Sequence, residues 1–190
     1  KNTKGFLVSK RLEKHGWHCS DTAELVFQDC EVPESNLLGK ENEGFYAIMD
    51  NFQNERLVLG GQAIGEASKA IDITLAYLRQ REAFGAPLWK KEAIRQRISM
   101  MSAKIESARH FAYHIAWLDE QGIDCVKEVS MLKALAAEIA NETVYDCLQF
   151  HGGMGYMRES TIERMARDVR LLPIGGGATE VMLEEVAKRL

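Results

Sequence analysis

The chain reads as mainly α, a bundle of long helices preceded by the closing strands of a β segment. Three observations predict this. Four stretches of the 190 residues repeat apolar side chains every three or four positions, and the longest, Gly44 to Arg81, runs for about ten turns. Pro33, Pro87 and Pro173 all fall outside those stretches, where they break or redirect the chain. Before residue 39 the apolar pattern is instead an alternation bounded by turn residues.

Taken in order, Gly5-Phe6-Leu7-Val8 reads as a strand. Thr22 to Phe27 is a second, with Ala23, Leu25 and Phe27 on one side and Thr22, Glu24 and Val26 on the other, which predicts unlike faces. Pro33 ends the extended region, and Asn36-Leu37-Leu38-Gly39 turns into the first helix. Two or three strands do not make a stable sheet alone. Residues 1–38 are therefore expected to be the tail of a middle β domain and residues 39–190 a helical-bundle domain, in a fragment or processed chain that begins at Lys1 without an initiator methionine.

In the first helix Phe45, Ile48, Phe52, Leu59 and Ala63 form an apolar stripe, and Glu55 falls on its edge. Leu57, Val58, Leu59 and Ile64 make the following turns apolar on more than one side, so enclosure is expected here. An enclosed glutamate either pairs with a cation, such as Arg56 or a base from another helix, or does acid–base work. Phe84-Gly85-Ala86-Pro87 reads as a loop. The second helix, about Lys90 to Gln121, carries a seam of Ile94, Ile98, Met101, Ile105, Ala108, Ala112 and Ile115, closed by Gly122. The third, about Asp124 to Phe150, repeats it through Val126, Val129, Ala136, Ala140, Thr143, Cys147 and Phe150. A fourth, about Thr161 to Leu172, turns Ile162, Met165, Ala166 and Val169 inward, and a last helix starts near Thr179.

A net charge of −4 argues against nucleic acid or an anionic membrane as the main partner. Cys19, Cys30, Cys125 and Cys147 are scattered without a C-x-x-C pair, as reduced packing thiols would be, and His110 and His114 have no third ligand at metal spacing. No signal-peptide pattern or long apolar run is visible, and the expected location is the bacterial cytoplasm or the mitochondrial matrix.

Three patches could hold a polyanionic ligand. Arg79 to Gly85 offers a guanidinium for phosphate beside an aromatic ring, or simply arginines that complement a helix C-terminus. Gln149 to Gly155 has glycines that admit a ligand to the backbone, or merely make a turn. Gly175 to Glu180 opens onto a helix start whose free N–H groups can receive an anion or oxyanion, or serves as a flexible cap.

These patches lie on motifs that run through nearly the whole chain: SDTAELVFQDCEVPESNLLG, NERLVLGGQAIG, YLRQREAFGAPL, QFHGGMGYMRES, RMARDVRLLPI and GGGATEVM. Together and in this order they resemble the C-terminal half of the FAD-dependent acyl-CoA dehydrogenases. The resemblance implies an N-terminal helical domain, a middle β domain and a C-terminal four-helix up-down bundle, of which this chain would supply the end of the second and all of the third. Many members carry the catalytic base in the glycine loop, at the position of Gly176. The isovaleryl- and long-chain-type branches place it on the helix matching Asn54-Glu55-Arg56, and this sequence has glycine in the first place and glutamate in the second.

The chemistry implied is α,β-dehydrogenation of an acyl-CoA thioester, with Glu55 removing the α proton and the Gly176 N–H stabilising the developing oxyanion. Asn54, Arg56 and Gly177 would line the substrate side. Arg81 and Phe84 would reach the FAD of a neighbouring subunit, joined by Glu92; Gln149, Gly152 and Gly153 would hold its adenine and pyrophosphate end; and Ala178, Thr179 and Glu180 would approach the FAD of the same subunit. The family often has Gln at Glu92, Thr at Ala178 and Arg at His18, so the contacts at Glu92 and Ala178 depart from the pattern. The partners implied are an acyl-CoA, an electron-transfer flavoprotein and further copies of the chain, as a dimer of dimers. An oxidase or monooxygenase of the same fold, separable by flavin reoxidation in air, and a non-catalytic assembly bundle, separable by the absence of bound flavin, are the alternatives.

Overall fold

The structure, a computed structural model, describes residues 2–190; Lys1, the first residue of the expected β segment, lies outside them. The chain forms two compact units, Lys1–Asn51 and Phe52–Leu190.

In the first unit, β1 (Phe6–Arg11) pairs antiparallel with β2 (Ala23–Phe27), from Phe6 opposite Phe27 to Arg11 opposite Ala23, with an irregularity between Val8 and Lys10. The Phe6 and Phe27 rings meet at 5.3 Å. The expected contrast between the faces of β2 is not realised: Leu25, Val26 and Phe27 are all exposed, in a sheet that has two strands among the described residues.

Five helices follow: α1 (Gly44–Gln80), α2 (Glu92–Glu120), α3 (Val126–His151), α4 (Thr161–Val169) and α5 (Thr179–Ala187). The prediction of a mainly α bundle holds. Along α1 and α3 the contacts keep step. The Gln53 amide donates to Cys125 Sγ at 3.1 Å, Gly60 lies against Leu132, and the Tyr77 ring stacks on His151 at 4.4 Å, so the two helices run parallel. A Cβ on Gly60 would come within 2.9 Å of Leu132, which is the close approach that glycine permits. Between them in sequence, α2 runs the other way, since Arg97 near its start pairs with Asp146 near the end of α3 and Lys104 pairs with Glu142 at 2.6 Å.

Most of the seams expected for the second and third helices lie in the core, while Ile94, Ala112, Val126 and Phe150 are half-buried at their margins. Ile98, Met101, Ile105, Ala108 and Ile115 of α2 meet Val129, Ala136, Ala140, Thr143 and Cys147 of α3, all buried. Ile162 and Val169 fix α4 against α3, where the Asn141 side chain donates to the Val169 carbonyl at 3.0 Å. Two boundaries differ from expectation. The fourth helix stops at Val169 instead of Leu172, because Leu171 and Leu172 shift to bonds three residues back ahead of Pro173, which disfavours helical geometry in the residue before it. The expected loop at 84–87 is a tight hairpin, β3 (Glu82–Ala83) with β4 (Ala86–Pro87), turned by Phe84 and Gly85 at φ of 56° and 80°.

Candidate active site

The glycine loop 175–178 joins α4 to α5 and packs on the middle of α1. Gly176 has φ of 66°, and a Cβ built on it would stand 2.2 Å from Leu59 Cδ1. Gly177 has φ of 105°, and its Cβ would meet Met182 at 2.7 Å and Arg56 Nε at 3.8 Å. Both positions lie in the left-handed region where a side chain is strained, and both face residues of α1 or α5 at contact distance. Neighbouring bonds hold the loop. Ile174 and Gly175 donate to the Leu171 carbonyl, each at 2.8 Å, and Thr179 donates to the Pro173 carbonyl at 3.0 Å. Among the described residues the Gly176 N–H has no backbone acceptor.

Leu59 is one turn beyond Glu55 on α1, so the loop sits beside the helical face that carries the candidate base. The expected enclosure of Glu55 is not seen: Asn54, Glu55 and Val58 are exposed, while burial on α1 sets in from Gly60, Ala63 and Ile64. The apolar stripe starts uncovered too, with Phe45 and Ile48 exposed. A stripe reports which side of a helix is apolar; it does not report which element covers that side. Arg56 is half-buried, lies over the Phe52 ring at 5.5 Å, and has an Nε that is buried without a hydrogen-bond partner. Glu55, Arg56, Gly176 and Gly177 thus form one neighbourhood.

A second group gathers at the opposite end of α1. The contact of Tyr77 with His151, completed by the Tyr77 hydroxyl donating to the His151 carbonyl at 3.3 Å, sets the Arg81 hairpin and the Gly152-Gly153 turn at the same end of the bundle. Arg81, Phe84, Gln149, Gly152 and Gly153 are exposed there, and a Cβ on either glycine would meet nothing within 4 Å. Phe84 is 91% exposed at the hairpin tip, with Lys91 Nζ 5.2 Å from its ring. Glu92 begins α2 and accepts a hydrogen bond from Gln96 at 2.9 Å. Twenty-five residues of α1 separate Glu55 from Gln80, which at about 1.5 Å per residue is roughly 37 Å. The residues near Glu55 and those near Arg81 therefore form two separate clusters in one chain.

Ala178 caps α5, Thr179 and Glu180 begin it, and the three border a third location, a cavity of about 310 Å³ shared with Glu138, Asn141 and Arg170. The Thr179 hydroxyl donates to the Pro173 carbonyl at 3.4 Å.

One residue of the first neighbourhood is absent from the sequence-based set. Lys133 of α3 is 1% exposed and donates from Nζ to the Gly177 carbonyl. Burial, and then the charge of Arg56, lower its affinity for a proton. A signal for it exists in the sequence. Lys133 falls four after Val129 and three before Ala136, on the apolar seam of the third helix, where a charge is out of place.

Known proteins are similar to this chain over its whole length. The family described as "Acyl-CoA dehydrogenase, C-terminal domain" matches residues 42–190. An acyl-CoA dehydrogenase of Bacillus subtilis (strain 168) is 40% identical over 190 residues, covering 100% of this chain and 50% of that protein. The acryloyl-CoA reductase (NADH) of Anaerotignum propionicum is also 40% identical, over 193 residues, with 100% and 49% covered. The crystal structure of a probable acyl CoA dehydrogenase from Mycobacterium abscessus ATCC 19977 / DSM 44196 superposes with a TM-score of 0.97 at 47% identity, covering 100% of this chain and 50% of that one. The chain spans about half the length of the relatives it matches. With the family match over residues 42–190 and a full-length superposition of the fold, the chain belongs to the acyl-CoA dehydrogenase family.

Proposed function

We propose that this chain provides the acid–base machinery for the α,β-dehydrogenation of an acyl-CoA thioester. Glu55 takes the α proton. The Gly176 N–H, which has no backbone acceptor among the described residues, receives the thioester oxygen as negative charge develops on it. Asn54, Arg56 and Gly177 line the substrate side, and the unpartnered Arg56 Nε offers a buried donor to a bound group. FAD, when bound, supplies the acceptor for the β hydrogen. The chain's residues fit such a group: Gly152 and Gly153 leave backbone open to an extended ligand, and Arg81 stands exposed beside them for phosphate.

The observation that carries this reading is at position 176. A carboxylate side chain there would begin inside Leu59, whereas Glu55 lies one turn from Leu59 on the same helix. The contact supports a reading in which the base stands on α1 and the loop stays free of side chains. The separation of the hairpin cluster from the Glu55 cluster supports a homo-oligomer, a dimer of dimers, in which Arg81 and Phe84 serve a neighbour's cofactor. Electrons leave to an electron-transfer flavoprotein.

In the full-length protein, Glu55→Gln abolishes flavin reduction by acyl-CoA while FAD stays bound; reduction at the unaltered rate defeats the assignment. The reductase relative at 40% identity favours a second reading, in which the same residues work in the reducing direction and Glu55 delivers the α proton. NADH consumption with an enoyl-CoA, in place of acyl-CoA oxidation with an electron-transfer flavoprotein, distinguishes the two.

A further inference from the structure

Lys133 is a buried cation whose recorded acceptor is a neutral carbonyl. It is flanked on α3 by Leu132 and Ala134, both buried, and the charge that acts on it is a second cation, Arg56. An ammonium in such surroundings costs several kcal/mol relative to water. An apolar residue of similar size would pack on this seam without that cost, so packing does not account for the lysine.

Its position does. The carbonyl it holds belongs to Gly177, between Gly176 at φ of 66° and the start of α5. Three successive glycines give this loop many alternative conformations, and the bonds at Ile174, Gly175 and Thr179 secure its ends but not its centre. Among the described residues, the bond from Lys133 is the one that reaches the centre, from a helix that also packs on α1 at Gly60. A single side chain thus links the core helix α3 to the loop beside Leu59, Arg56 and Glu55.

We propose that Lys133 is a positioning residue: by holding the Gly177 carbonyl it fixes the glycine loop against α1, so that the Gly176 N–H stays aimed at the thioester oxygen when Glu55 removes the α proton. It touches neither substrate nor cofactor and acts through the loop. The catalytic part of this inference rests on the dehydrogenase reading above; the clamping of the loop does not.

The test uses the full-length, FAD-loaded protein and Lys133→Met, with Lys133→Gln, which keeps an N–H donor, as the second variant should methionine prevent folding. Hydrogen–deuterium exchange is read for the peptide spanning residues 171–182. Proton removal is read as solvent deuterium entering the α carbon of a 3-thia-acyl-CoA, whose β sulfur blocks hydride loss. Expected for Lys133→Met are at least tenfold faster amide exchange confined to that peptide and at least tenfold slower α-proton exchange at saturating ligand, with ligand affinity within about threefold. Lys133→Gln is expected to fall between the two proteins. Unchanged loop exchange in a folded variant overturns the clamp. Faster loop exchange with α-proton exchange at the unaltered rate overturns the catalytic role. Absence of α-proton exchange in the unsubstituted protein overturns the dehydrogenase reading instead, and the clamp is then judged on amide exchange alone.

Discussion

Leu59 occupies the space that a side chain on Gly176 would need, its Cδ1 lying 2.2 Å from the Cβ position. The two residues belong to segments more than a hundred positions apart, and any side chain added at position 176 must displace the end of Leu59. Gly176→Ala meets both this clash and the left-handed backbone, which alone costs about 1–2 kcal/mol. Leu59→Ala removes the clash and leaves the backbone strain. The double variant is therefore expected to be less destabilised than the sum of the single ones, by about 0.5–3 kcal/mol in a denaturation cycle. Strict additivity would show that the loop moves freely away from α1.

The same relationship bears on moving the proposed base. Gly176→Glu in a Glu55→Gln background is expected to leave flavin reduction abolished, since the new side chain starts inside Leu59. Adding Leu59→Ala opens the space, and partial recovery is expected. Recovery without the Leu59 change would mean that position 176 accepts a side chain as it stands.

Much of this was readable from the chain itself. The central parts of the α2 and α3 seams are legible because helix–helix packing imposes its own period on the sequence, and Ala136, Ala140 and Cys147 are buried where that period puts them. Glu55 was legible as a carboxylate beside an apolar stripe, but its enclosure was not, because the cover over Asn54, Glu55 and Val58 is not supplied by the helices that bury Ala63 and Ile64. Lys133 was hidden for a different reason. Its seam position is visible, yet only the tertiary fold says that its ammonium meets the Gly177 carbonyl. The hairpin tip escaped because Phe-Gly is not among the dipeptides that announce such turns.

Burial governs Cys147 on α3. Its thiol is 0% exposed and is pushed up to about 11, chiefly by desolvation, with the Thr74 hydroxyl pulling down and Asp146 pushing up. A group whose folded value is raised binds its proton more tightly in the folded chain. Its contribution is full below the unfolded thiol value and is lost as pH climbs through about 11. Comparing the protein with Cys147→Ala, the stability difference is expected to shrink across that window by at most about 2–3 kcal/mol. At pH 8 iodoacetamide is expected to label the exposed Cys19 and spare Cys147. Equal labelling rates would contradict both statements.

At the α2–α3 seam Glu142 bridges two half-exposed cations, Lys104 and, at 3.5 Å, Arg97, and the worth of these pairs is small. Lys104 and Glu142 lie 2.6 Å apart with side chains 41% and 36% exposed. Glu142→Gln is expected to cost about 0.2–1 kcal/mol, and less in high salt. A loss well beyond this, or one that ignores salt, would show that Glu142 does more than pair.

Phe84 combines two features that folding alone does not favour. Its backbone sits at φ of 56°, where a bulky residue is strained, and its ring is 91% exposed apart from the approach of Lys91. The β3–β4 turn would be better served by asparagine, which tolerates that geometry. Strain kept in a side chain that buries nothing within its own chain points to a surface it meets elsewhere. Phe84→Asn is therefore expected to raise thermal stability of the isolated chain, by about 0.5–1 kcal/mol, while weakening FAD retention or subunit association in the full-length protein. Stability and association are measured on the same variant, by thermal denaturation and by sedimentation with flavin absorbance. A variant that gains stability and keeps both flavin and assembly would remove Phe84 from the ligand-binding set, and one that loses stability would show that the ring supports the hairpin itself.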